Sequence, residues 1–137
     1  MKTLILLIGV IVSINLYSQE KISYDYALGK LLINYTEGTW EYGEREDNNA
    51  ARFYNNNLEV FLYSDSDNNA YSYLKCFKEG IASKEFYFET LNENHKHIIY
   101  EGIHYWQPNS EQDYDLIEYE EYDCDEGYSQ CFYYYFK

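Results

Sequence analysis

The strongest constraint on this chain is a change of hydrophobic period near Gly38. Before it, Tyr24, Ala27, Leu28, Leu31, Leu32 and Tyr35 recur at spacings of three and four, one face of an α-helix. Ser23 can cap that helix and Gly38 lies just beyond its end, so a helix is predicted over about residues 23–36. After Gly38 the period becomes two. Clusters of Asn, Asp, Gly and Pro interrupt it: Asp47-Asn48-Asn49, Asn55-Asn56-Asn57, Asp65 to Asn69, Asn92-Glu93-Asn94 and Gln107 to Ser110. The runs between them read as strands: Thr39 to Glu46, Ala51 to Tyr54, Leu58 to Ser64, Ala70 to Lys78, Ser83 to Leu91, His97 to Trp106, Tyr114 to Asp123 and Ser129 to Phe136. The expected fold is all-β: an antiparallel up-and-down barrel or sandwich of about eight short strands, preceded by one N-terminal amphipathic helix.

Charge alone would argue against any fold. The chain carries a formal net charge of −14, and strongly acidic chains are often disordered. Disordered acidic chains are poor in aromatics, however, and here aromatics are 20% of residues, with 19 tyrosines. Tyrosine suits a pleated, half-buried surface with a wet hydroxyl edge. The same acidity repels nucleic acid and anionic membrane surfaces and favours cations or basic partners.

The first residues have the grammar of an export leader. Lys2 is followed by an apolar run from Leu4 to Leu16, with the small residue Ser18 at a cleavage position. The run is shorter than the roughly 20 residues a spanning helix needs. No cysteine stands near the cut, so no lipid anchor is expected. The reading is a signal peptide at residues 1–18 and a single domain at 19–137. That domain is expected to be monomeric, without a membrane span, and placed in the periplasm or outside the cell.

In an oxidising compartment Cys76, Cys124 and Cys131 can form a disulfide, and their odd number leaves one over. Folding the last two strands about Gly127-Tyr128 sets Cys124 opposite Cys131 at nearly the spacing a disulfide wants. A Cys124–Cys131 bond is therefore expected, with Cys76 free in its strand.

Motifs for chemistry are weak. Asp65-Ser66-Asp67-Asn68-Asn69 opens like a calcium loop, but Ala70 and Cys76 stand where Gly and Glu are required, and an Asx-rich turn explains it. Asp123, Asp125 and Glu126 form a second acidic turn. His95, His97 and Glu101 share strand parity and would suit zinc. His104 has the opposite parity unless a bulge at Gly102 intervenes. Asn34-Tyr35-Thr36 matches a glycosylation sequon, read as incidental. No nucleophile elbow, metalloprotease helix or phosphate loop occurs. Neither catalysis, nor a metal, nor a cofactor is expected.

Gly38-Thr39-Trp40, following a helix and opening a series of short strands, resembles the start of lipocalin-like proteins. Within that family the chain is most similar to the small, divergent domains of exported bacterial proteins. The family's Thr-Asp-Tyr turn is absent here, and no late arginine is placed to pack over Trp40. The resemblance implies an up-and-down barrel around an apolar cavity, with Trp40 closing one end. Two functions follow as expectations. One is a barrel that binds a small apolar ligand, lined by Trp40, Tyr42, Phe61, Phe86, Phe88, Ile99 and Trp106. The other is an acidic, Tyr-rich module with a filled core that docks a protein or glycan partner.

Overall fold

The computed structural model describes residues 21–45, 48–120 and 128–137. The proposed signal peptide at 1–18, the turn residue Asp47, the acidic turn at Asp123 to Glu126, and Cys124 lie outside these residues.

The predicted helix is present as α1 (Tyr24–Asn34), entered from the two-residue strand β1 (Ile22–Ser23). Ser23 Oγ accepts from the Tyr26 backbone N–H at 3.1 Å and caps it. Tyr24, Ala27 and Leu31 are its buried stripe. The main sheet contains β2 (Thr39–Arg45), β3 (Asn48–Tyr54), β4 (Leu58–Tyr63), β6 (Ser72–Lys78), β7 (His95–Tyr100), β8 (Ile103–Pro108), β9 (Tyr114–Glu120) and β10 (Tyr128–Phe136). The short β5 (Asn69–Ala70) pairs only with β1. All neighbours in the main sheet are antiparallel, in the order β2-β3-β4-β6-β10-β9-β8-β7.

The all-β antiparallel expectation holds, but no barrel closes among the described residues. The edges β2 and β7 are not joined. Two meanders, β2-β3-β4-β6 and β7-β8-β9-β10, meet at a single seam where β6 pairs with β10.

Register explains where the core sits. Tyr42, Ala51, Leu62, Tyr73, Tyr134, Ile117, Trp106 and His97 form one row across all eight strands, on one face. α1 packs on the β3, β4 and β6 part of this face, against Ala51, Phe53, Val60, Leu62 and Tyr73. A second helix, α2 (Lys84–Asn92), packs on its other half through Tyr87, beside Trp106, Ile117, Tyr119 and Phe132.

Gly-Thr-Trp is the corner between α1 and the edge strand. A Cβ on Gly38 would stand 2.5 Å from both the Phe53 ring and the Tyr54 carbonyl, so only glycine lets the chain pass. Trp40 then lies half-buried against Phe53, ring centres 5.3 Å apart, and its Nε1–H donates to the Tyr35 carbonyl at 2.9 Å. The turn at Asp65 is the expected Asx turn. One carboxylate oxygen accepts from the backbone of Asp67 and Asn69, at 3.0 and 2.9 Å.

Three expectations are corrected. The strand expected from Ser83 to Leu91 is α2. Ser83 Oγ caps it by accepting from Phe86 N–H, and Tyr87, Phe88 and Leu91 turn toward the sheet at helical spacing. The alternating rings Phe86-Tyr87-Phe88 mimic a strand locally, and packing overrides them. The long strand expected from His97 to Trp106 is split by a two-residue turn. Glu101 and Gly102 both take positive φ, 51° and 81°, as a type I′ hairpin requires.

The disulfide is the third. Cys131 is bonded to Cys76, not to Cys124. β10 enters the sheet between β9 and β6, and its register sets Cys131 opposite Glu120 on one side and Cys76 on the other. The Cys76 and Cys131 Cα atoms are 4.1 Å apart.

Candidate functional site

The residues expected to line one cavity lie in several places. Trp40 and exposed Tyr42 stack at the β2 edge, 6.2 Å between ring centres. Ile99 is exposed at the opposite edge, on β7, and Phe86 is exposed on α2. Phe88 and Trp106 meet beneath α2, 4.8 Å apart. Phe61 is on the other face of the sheet, stacked with Tyr63. Trp106 is fully buried and packs against Phe132, ring centres 5.9 Å apart.

Beneath α2 the three histidines form a strip that sequence parity did not reveal. The Glu101-Gly102 turn reverses the chain and returns His104 to the face that carries His97. His97 Nε2 and His104 Nδ1 are 2.8 Å apart, so one ring donates and the other accepts. His95 Nδ1 lies 2.8 Å from the Leu91 carbonyl and therefore donates to it, which leaves Nε2 to accept from the Tyr114 hydroxyl at 2.9 Å. Trp106 stacks on His97, and its Nε1–H donates to Asn92 Oδ1 at the end of α2. Phe88 fills the centre, 4.9 Å from His104 and 5.0 Å from Tyr119. Among the described residues no group of three His, Cys, Asp or Glu side chains is arranged to hold a metal.

All three histidines are held below the ordinary imidazole range, first by burial. His104 adds to this at His97, and the Lys84 ammonium adds to it at His104. The sign follows by linkage. The unfolded chain takes up these protons first, so the histidines' contribution is intact above the unfolded pKa, about 6.5, and is lost as pH falls from there through the lower folded-state values. The urea midpoint is expected to drop between pH 7.5 and pH 5, and His97→Phe to drop less. A midpoint that stays level over this range in the parent chain would contradict the arrangement.

The second face of the sheet carries neither helix. A single row crosses it in register: Glu41, Arg52, Phe61, Leu74, Tyr133, Glu118, Tyr105 and Ile98. At one end Arg52 is held fast. Its Nη1–H donates to Glu41 at 2.9 Å, Nε–H and Nη2–H donate to Glu59, and the guanidinium lies 4.3 Å from the centre of the Tyr54 ring. Glu59 is only 2% exposed, and this pairing lets its charge sit there. Gly43, Ala50, Phe61 and Tyr63 line a shallow groove of about 210 Å³ beside Arg52.

At the middle of the row the Tyr135 hydroxyl donates to Glu118 Oε1 at 2.9 Å. Burial raises the Glu118 carboxyl above its usual range. Burial, and then the nearby carboxylates Glu118 and Glu101, push Tyr105 to about 12, so it stays a hydroxyl at neutral pH. Ile98 and Leu116 are buried on this face under Tyr100, Tyr105 and Tyr135. The result is a half-buried floor of rings with carboxylates set among them.

No protein-family model matches the chain, and no curated protein or solved structure matches it significantly. Among the described residues, no helix is long and apolar enough to cross a membrane.

Proposed function

We propose that this chain is an exported, non-catalytic interaction module that holds a basic polypeptide segment on the helix-free face of its sheet. The row from Phe61 through Tyr133 and Glu118 to Tyr105 carries the reading. It alternates aromatic area with a carboxylate already oriented by Tyr135, the surface that suits arginine and lysine side chains. The groove of about 210 Å³ near Arg52 is the size of one side chain rather than of a whole ligand. The net charge of −14 would steer a basic partner and repel an acidic one. Export is supported by the leader pattern at residues 1–18 and by a disulfide in the folded domain. The tripeptide Gly38-Thr39-Trp40, which resembles the start of lipocalin-like proteins, agrees with a role in binding rather than catalysis.

The test is calorimetric titration with a decapeptide of alternating arginine and glycine, at low and high salt. Binding should weaken with salt. Glu118→Gln, which can still accept from Tyr135, should weaken it roughly tenfold, equivalent to about 1.4 kcal/mol. The charge-matched Glu93→Gln, beyond the end of α2, should leave it unchanged. Equal losses in the two variants would mean that bulk charge alone attracts the peptide, and the assignment of this face would fall.

A further inference from the structure

We infer that His97 and His104 bind one monovalent d10 cation, copper(I) or silver(I), in line between His97 Nε2 and His104 Nδ1. The two nitrogens face each other at 2.8 Å, and the ring planes are 20° from parallel. The ring centres are 5.0 Å apart, nearly the greatest distance that a contact of this length between ring nitrogens allows. Centre, nitrogen, nitrogen and centre therefore lie close to one line. Both lone-pair directions run along that line and converge on the gap, as linear coordination by two imidazoles requires.

The donor set selects the ion. Zinc takes four ligands in a tetrahedron, and among the described residues no third His, Cys, Asp or Glu completes a group. A monovalent d10 ion is satisfied by two nitrogens in line. The Lys84 ammonium acts on His104 and opposes added charge, so one positive charge is tolerated better than two. Trp106 stacks on His97, centres 4.8 Å apart, and Phe88 lies 4.9 Å from His104, so rings rather than carboxylates surround the pair. Burial lowers both histidines below the ordinary imidazole range, so both are neutral at neutral pH and can ligate. No proton leaves on binding. The ring that donates within the pair carries its hydrogen on its outer nitrogen instead, and among the described residues no hydrogen bond holds His97 Nδ1 or His104 Nε2. Two bonds of about 2 Å in line put the nitrogens about 4 Å apart, so the rings must part by about 1 Å. The fold permits this: His97 is on the edge strand β7, and β8 pairs with β9 at Tyr105 and Trp106, which leaves His104 on the turn side of that pairing. The pair and the Glu118 row lie on opposite faces, so either proposal can fail without the other.

The test is titration of the folded chain with silver nitrate in chloride-free buffer, followed by nitrogen-15 NMR of the imidazoles and by tryptophan fluorescence. Cys124 is replaced by alanine throughout, so that its thiol cannot take the ion. One silver ion per chain should bind, moving the resonances of His97 Nε2 and His104 Nδ1 together, leaving those of His95 in place and quenching Trp106. His97→Phe and His104→Phe should each weaken binding by at least the roughly hundredfold that loss of a group supporting a ligand can cost. Zinc at the same concentration should move neither nitrogen. Silver that moves only one of the two nitrogens, or moves His95 instead, overturns the proposal in the parent chain, whatever the variants do. Affinity retained in either variant overturns it too, and so does zinc that moves both nitrogens, because further donors would then complete the site.

Discussion

Cys76→Ala is expected to cost about 4 kcal/mol, the chain-entropy value for a loop closed across a sequence separation of 55. That is a large part of the roughly 5–15 kcal/mol that holds a domain together. The location compounds the effect. The bond crosses from β6 to β10, the seam between two four-stranded meanders that are otherwise joined by main-chain hydrogen bonds and shared core rings. Cys131→Ala should cost as much, since it opens the same loop. Cys124→Ala should cost little. Urea unfolding of the three variants, with peptide mapping under non-reducing conditions, decides the matter. A linked Cys124–Cys131 peptide, or equal losses in Cys124→Ala and Cys76→Ala, would refute the cross-sheet bond.

Trp106→Ala should be comparably severe, at about 3–5 kcal/mol. The side chain is 0% exposed and packs among Phe88, His97 and Phe132, while its N–H pins the end of α2 through Asn92. Removing it leaves a cavity that neighbouring rings cannot easily fill. Sequence reasoning would assign the same cost to Trp40. Trp40 is only half-buried at a sheet edge, so Trp40→Ala should lose about half as much. The order of the two urea midpoints is the check. A Trp40 variant that is less stable than the Trp106 variant would contradict the half-buried edge position of Trp40.

Much of the secondary structure was legible because it depends on local periods. The stripe from Tyr24 to Tyr35 and the cap at Ser23 specified α1, and the alternation in Leu58 to Ser64 specified β4. The misreadings share a physical cause. Phe86-Tyr87-Phe88 has strand chemistry, and only the sheet it packs against selects a helix. Glu101-Gly102 reads as a bulge or as a turn until the strands pair. The histidine strip was hidden by that same turn, since reversing the chain changes which parities share a face.

The sequence by itself determined a β-rich, acidic, aromatic domain with one N-terminal helix and the grammar of an export leader. These follow from composition and from spacings within a few residues. Only the tertiary structure decided that β10 inserts between β6 and β9, that Cys131 therefore meets Cys76, and that Phe61, Tyr133, Glu118 and Tyr105 fall in one row. Such a row is the sum of successive registers. A slip of one residue in any of them turns a whole strand over, and a strand's own alternation fixes which face it buries but not which residue of its neighbour it meets.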